Sequence, residues 1–200
     1  MPTQIDIVLF PGFDELDAIG PFEVFANGAR AGANLDVRLV SLEPTETIAA
    51  SHGLVVEPDG VLGEPTPPDI LVVPGGGGSS EDGGVRRAVD DGALLEAIAD
   101  QAERGGTLAS VCTGAMALAH AGVLEGRPAV THHSALADLE AFADVREARV
   151  VDDGDLLTGG GVTSGIDLAL WVHEREWGAE KADLVAREME HERRGAIVRA

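Results

Sequence analysis

Residues 69–73 read Asp-Ile-Leu-Val-Val, and a proline and four glycines follow them directly. Four apolar residues in a row are typical of a strand that is buried on both faces, and such strands occur in parallel sheets covered by helices. The proline and the glycines end the strand, because these residues favour turns. This segment therefore predicts a parallel sheet with helices on both sides.

The rest of the chain alternates between strand-like and helix-like segments. Apolar or alternating runs predict strands at 4–10, 35–42, 106–111, 128–130, 145–151 and 156–158. Helical spacing of apolar residues predicts helices at 14–28, 85–103, 134–142, 164–177 and 179–192, and one more from Thr113. A hairpin at 47–57 and a loop at 60–68 complete the pattern, and Gly20-Pro21 predicts a kink or a delayed start in the first helix. With no repeat or long linker, we expect one doubly wound α/β domain over residues 1–200, with its core at about 4–190.

The net charge of −21 is extreme for 200 residues, with 35 acidic against 14 basic side chains and Lys181 as the sole lysine. Such a surface repels phosphate backbones and anionic lipid, so we expect neither nucleic acid nor membrane as a partner. Scattered carboxylates with almost no lysine indicate a halophilic protein, because high salt screens the self-repulsion. The single cysteine and an N-terminus without signal-peptide features predict a cytoplasmic protein.

That cysteine, Cys112, lies where the predicted strand 106–111 gives way to a helix. A tight turn there directs a side chain at the free N–H groups and positive dipole of the helix start, as in a nucleophile elbow with Cys in place of Ser. This setting predicts a thiolate, and thus a reactive nucleophile. A buried structural cysteine, which behaves as a small hydrophobe, is the alternative.

Two further loops meet Cys112 if the sheet is doubly wound, because ligands bind outside the carboxyl ends of its strands. The loop at 74–78 lacks the Gly-Lys-Ser/Thr of a phosphate loop, but its glycine N–H groups, with that of Thr113, could form an anion hole beside Cys112. The loop at 14–21 carries Asp17, which is either a simple helix-start carboxylate or, if desolvated, a proton carrier of raised pKa. The glycine run is otherwise a flexible turn.

The adjacent histidines His132 and His133 do not indicate a metal site, since neighbours in an extended chain point opposite ways and no second ligand pattern completes a set. The other histidines are isolated in the sequence and are expected to be solvated or in the core. We therefore expect no metal and no organic cofactor.

Five motifs in order resemble the ThiJ/PfpI superfamily over about residues 4–190: Leu16-Asp17-x-x-Gly20-Pro21, Val73-Pro74-Gly75-Gly76, Ser110-Val111-Cys112-Thr113-Gly114, Thr131-His132, and the segment from Leu157 to Asp167. The resemblance implies a flavodoxin-like, class I glutamine amidotransferase-like fold with Cys112 as the reactive residue. It also implies a homodimer, and it makes Gly75, Gly76 and His132 candidates for substrate binding.

Within the superfamily the chain is most similar to the isocyanide hydratases, which carry Asp where Asp17 stands and Thr where Thr113 stands. Peptidase-like and glyoxalase-like relatives often have His directly after the cysteine. The resemblance implies that Cys112 attacks a small electrophilic isocyanide, that Asp17 moves the protons, and that the N–H groups of Thr113 and Gly76 stabilise the developing charge. The alternatives are a glyoxalase or deglycase acting on methylglyoxal and its adducts, and a non-catalytic redox sensor whose cysteine oxidises.

Overall fold

Strands and helices alternate along the chain in the computed structural model, which describes residues 1–77 and 83–200. The strands are β1 Thr3–Leu9, β2 Leu35–Ser41, β3 Ile48–Ala49, β4 Val55–Val56, β5 Gly60–Val61, β6 Ile70–Val73, β7 Thr107–Val111, β8 Pro128–Ala129, β9 Asp144–Val145, β10 Val150–Asp152, β11 Leu156–Gly159 and β12 Ile197–Arg199. The helices are α1 Glu15–Arg30, α2 Gly84–Asp91, α3 Ala93–Glu103, α4 Gly114–His120, α5 Leu136–Leu139, α6 Ser164–Trp177 and α7 Ala179–Glu188.

Within these described residues, eight strands form one sheet in the order β12-β10-β11-β7-β6-β1-β2-β5. The six strands from β11 to β5 are parallel, as the sequence predicted. The prediction of a wholly parallel sheet was wrong at one edge, because β10 pairs antiparallel with β11 and β12 then pairs parallel with β10. A short turn joins β10 to β11, and two adjacent strands joined by a short turn must run in opposite directions.

Four further predictions need correction. The helix at 85–103 is two helices, because Gly92 between them has φ 83° and breaks the helical path. The strand at 145–151 is the separate strands β9 and β10. Pro21 lies inside an uninterrupted α1 that starts at Glu15, so the helix start is not delayed. The sequence also missed β12, which extends the sheet beyond residue 190.

Helices cover both faces of the sheet: α1, α6 and α7 pack together on one side, and α2, α3 and α4 on the other. The strand order reverses between β1 and β6, since β1 continues to β2 on one side while β6 joins it on the other. Crevices at such a point lie outside the carboxyl ends of the strands. The loops after β1, β6 and β7 therefore meet at one place. Among the described helices, none combines the length and the apolar character needed to cross a bilayer.

Candidate active site

Cys112 occupies the turn between β7 and α4 with φ 56°, in the left-handed region that side chains rarely adopt. Its N–H donates to the carbonyl of Gly159 over 3.0 Å, which continues the pairing of β7 with β11 for one more residue. Helix α4 starts at Gly114, where a Cβ would lie only 2.2 Å from the carbonyl oxygen of Val73, so glycine alone fits there. The turn thus orients the thiol away from the sheet and toward α1.

The Cys112 thiol is buried, with 7% of the residue exposed. Burial raises its pKa to about 12, and the nearby Asp17 carboxylate adds to the increase, while a hydrogen bond from the Thr113 N–H acts in the opposite direction. The sequence-based prediction of a resting thiolate was therefore wrong. The physical reason is that α4 has only seven residues, so its dipole is outweighed by the loss of water and by a neighbouring negative charge.

Asp17, in the first turn of α1, is completely buried. Its Oδ2 accepts a hydrogen bond of 2.9 Å from the Gly75 N–H, and its Oδ1 has no partner within the described part of the chain. The pKa of the carboxyl is raised to about 7, first by burial and then by the charge of Asp14, although the bond from Gly75 and the contact with the Cys112 thiol act to lower it. This is the direction that the sequence predicts for a desolvated carboxyl. Asp17 can therefore hold or release a proton near neutral pH.

The loop after β6 brings two glycines against this pair. A Cβ on Gly75 would lie 2.7 Å from Asp17 Oδ2 and 2.6 Å from Thr113 Oγ1, so only glycine fits without displacing one of them. Gly76, at φ 144°, donates its N–H to Thr113 Oγ1 over 3.1 Å. The sequence predicted that this N–H faces the reacting centre, but here it holds the Thr113 side chain. Gly78, the last glycine of the predicted loop, lies outside the described residues.

His132 and His133 lie at the margin of the site. His132 Nδ1 is 2.8 Å from the Ser134 hydroxyl and accepts the Ser134 N–H, and the two histidine rings are tilted by 43° with centroids 4.0 Å apart. No hydrogen bond joins either ring to Cys112 or Asp17 among the described residues. Burial lowers the pKa of His132, and so does the charge of His133. The structure thus brings together Cys112, Asp17, Gly75, Gly76 and Thr113, and leaves His132 beside them.

Glu15, which the sequence analysis did not single out, anchors the β3–β4 hairpin to the start of α1. It accepts the His52 N–H over 2.7 Å and lies 2.7 Å from His52 Nδ1, so its pKa falls to about 2. With Asp14, these side chains place potential metal ligands within 4.8 Å of one another. Because Glu15 and His52 already satisfy each other, the cluster is explained as a hairpin anchor. His52 is exposed, as expected for a solvated histidine, and its ring also pairs with Glu15.

A cleft of about 830 Å³ begins at Gly76 and Thr113 and extends between α2, α4 and α5. Its walls include apolar side chains from all three regions: Val85, Val89, Met116, Ala135 and Phe142. This volume lies in the range of ligand pockets for small organic molecules. The cleft therefore offers space for an apolar substituent beside the residue that follows Cys112.

Comparison with known proteins gives a consistent picture. The DJ-1/PfpI family model matches residues 3–175. The chain is 37% identical over 196 residues to an isonitrile hydratase from Pseudomonas putida, with 96% of this chain and 79% of the relative covered. It is 30% identical over 187 residues to the protein DJ-1alpha from Drosophila melanogaster, covering 92% of this chain and 82% of that one.

Solved structures agree with this result. A ThiJ/PfpI family protein from Pseudomonas syringae superposes with a TM-score of 0.83 at 28% identity, covering 96% of this chain and 76% of that one. DJ-1beta from Drosophila melanogaster gives a TM-score of 0.82 at 25% identity, with 96% and 100% covered. The superfamily and the fold predicted from the five motifs are confirmed. From the match over most of its length and from the shared fold, this chain belongs to the DJ-1/PfpI family.

Proposed function

We propose that this protein hydrates isocyanides, also called isonitriles, to N-substituted formamides with Cys112 as the nucleophile. The observation that carries the proposal is the buried pair of Asp17 and Cys112, in which a carboxyl group of pKa about 7 lies against a thiol. The reaction needs both a nucleophile and a group that moves protons, since a proton must reach a carbon that bears none. The likeness to an isonitrile hydratase supports this choice of substrate class.

The first half of the reaction joins the substrate to the enzyme. The Asp17 carboxylate accepts the thiol proton as Cys112 Sγ attacks the terminal carbon of the isocyanide, and the carbon–nitrogen triple bond becomes a double bond. The displaced electron pair goes to nitrogen, and the lone pair that the isocyanide carbon already carries takes the proton back from Asp17, which gives a thioimidate. The Thr113 N–H stabilises the charge that develops on sulfur, because it already donates to the thiol at rest.

The second half releases the product. Asp17, again a carboxylate, accepts a proton from water as the water oxygen adds to the same carbon, and it gives that proton to the nitrogen. The carbon–sulfur bond then breaks with its electron pair leaving on Cys112 as the added hydroxyl becomes the formamide carbonyl, and the hydroxyl proton returns to the sulfur. One isocyanide and one water give one formamide, with no cofactor involved. Asp17 Oδ1 supports this role, since it is buried and has no hydrogen-bond partner among the residues that the structure describes.

The cleft that begins at Thr113 would receive the nitrogen substituent, and the apolar part of its lining would contact an alkyl or aryl group beside the charged Arg86, Asp90 and Asp138. A homodimer stays a prediction. Leu16, Leu54 and Val55 support it, because they are apolar and exposed on α1 and the hairpin that α1 contacts.

A steady-state assay with benzyl isocyanide in concentrated KCl tests the proposal by measuring benzylformamide. We expect turnover by the wild type, none by Cys112→Ala, and at least about a hundredfold loss in Asp17→Asn, the usual size of a general acid–base contribution. Ser110→Ala is the matched control, because it removes a buried hydroxyl that has no partner among the described residues. Full activity of Cys112→Ala refutes the proposal. If the wild type makes no formamide, lactate from methylglyoxal identifies the glyoxalase alternative, and oxidation of Cys112 by peroxide without turnover identifies the redox sensor.

A further inference from the structure

The backbone of Cys112 is held in a conformation that an L-residue avoids, since at φ 56° the Cβ atom approaches the following carbonyl oxygen. Such a conformation persists only where the surroundings fix it. The N–H of Cys112 is fixed by the carbonyl of Gly159 on β11. Its carbonyl group accepts the Ala115 N–H only over a long 3.5 Å, so a shorter bond is needed to stop the peptide after Cys112 from rotating and relaxing the strain.

Thr131 supplies that restraint. Its hydroxyl donates a hydrogen bond of 2.8 Å to the Cys112 carbonyl, and only 2% of the residue is exposed. The preceding residue is fixed in turn, because the N–H of Val130 donates to the buried Thr158 Oγ1 over 2.9 Å. Thr158 directly precedes Gly159 on β11. Both peptide groups of Cys112 are therefore tied, directly or through Thr131, to the same short strand.

We propose that Thr131 is a positioning residue, whose hydroxyl holds Cys112 in the left-handed conformation that keeps its thiol against Asp17. Thr131 contacts no reacting atom and acts only through the Cys112 carbonyl. Thr158 supports Thr131 indirectly, because its hydroxyl oxygen holds the N–H of the preceding residue, Val130. The inference rests on Asp17 and Cys112 being the reacting pair of the proposed function, but it concerns their contact and not the substrate.

Alkylation of Cys112 by iodoacetamide, followed by intact mass at pH 8, measures that contact without any isocyanide. Iodoacetamide reacts with the thiolate already present, without proton transfer to Asp17 in the same step, and Asp17 raises the thiol pKa, so Asp17→Asn should speed alkylation about tenfold, the effect of one pKa unit. If Thr131 maintains the contact, the same substitution in a Thr131→Val background should change the rate by less than about twofold. The control backgrounds Thr131→Ser, which keeps the hydroxyl, and Ser110→Ala should both retain the tenfold factor.

A merely structural Thr131 would lower the melting temperature but leave this factor unchanged, so a tenfold factor in the Thr131→Val background overturns the proposal. A factor near one in the wild-type background also overturns it, because the thiol is then not held against Asp17. If Thr131→Val does not fold, as judged by circular dichroism, Thr131→Ala takes its place. Loss of the factor in Thr131→Ser counts against the proposal in either case. None of these outcomes depends on formamide production, so the proposed function and this inference can fail separately.

Discussion

Asp17→Asn should stabilise this protein, and by an amount that grows with pH. The carboxyl is completely buried and its pKa is raised from 3.8 to about 7. A group whose folded-state pKa lies above its unfolded value stabilises the fold most when protonated, and this stabilisation is lost as pH rises through the folded pKa. Asparagine has nearly the same shape, can accept the Gly75 N–H, and does not ionise.

The expected change in unfolding free energy follows from the shift in the pKa of Asp17. Three pH units at about 1.4 kcal/mol each correspond to about 4 kcal/mol over the whole range between the two pKa values. Near the isoelectric point of about 4.4 the protein has little net charge and tends to associate, so the measurements start near pH 5.5. From pH 5.5 up to the folded-state pKa of Asp17, about 7, there are still about 1.5 pH units over which the stability changes. The stability of Asp17→Asn relative to the wild type should therefore rise by about 2 kcal/mol and level off above pH 7.

Urea unfolding of both proteins at intervals from pH 5.5 to 8.5, in concentrated KCl, gives the difference in unfolding free energy. Contributions from the other carboxylates cancel in that difference where they do not contact Asp17. Asp183→Asn on α7 is the control, since its side chain is exposed and makes no hydrogen bond within the described part of the chain. A difference for Asp17→Asn that stays constant from pH 5.5 to 8.5 would refute the assigned burial and proton affinity of Asp17.

Two other substitutions test the packing around the site and the packing of His173, on α6, against Gly28 of α1. Gly75→Ala should lower the unfolding free energy in urea by about 1–3 kcal/mol and should lower kcat/KM, because the added Cβ meets Asp17 and Thr113. In the control Gly60→Ala, the added Cβ meets only the tip of an arginine side chain, at 3.7 Å. Equal losses in the two variants would contradict the crowding at Gly75. His173 is completely buried, its ring nitrogens lack partners among the described residues, and burial lowers its pKa to about 4. Because the folded-state pKa of His173 lies below 6.5, the unfolding free energy of the wild type should fall by about 1.4 kcal/mol relative to that of His173→Leu between pH 7.5 and 5.5. Unfolding curves whose separation is independent of pH would count against this.

The sequence predicted the parts of this structure that depend on local pattern. The apolar run at 69–73 is β6, the helical spacing at 164–177 is α6, and the single cysteine lies between β7 and α4 as expected. Asp14 caps α1 through the Leu16 N–H, and aspartate is one of the residues that favour this position. These features were predictable because each is set by residues a few positions apart.

Other features depend on contacts between distant segments. The edge strand β12 joins the sheet only by pairing with β10. The break at Gly92 is local, but it follows from a positive φ that helical spacing does not report. The hydrogen bond from Gly76 to Thr113 joins residues 37 positions apart, and that from Thr131 to Cys112 joins residues 19 apart. No periodicity in the chain encodes such partners.

By itself, the sequence determined that this is an α/β protein of the DJ-1/PfpI type with Cys112 at a strand-to-helix turn and Asp17 near the start of the first helix. Only the tertiary structure decided their protonation. The pattern around Cys112 indicated a helix terminus and hence a thiolate, but folding buries the thiol next to a buried carboxyl group. Desolvation and the charge of Asp17 then raise the thiol pKa by more than the dipole of the short helix lowers it. A pKa is set by the water removed and by the charges brought close, and both are properties of the folded chain.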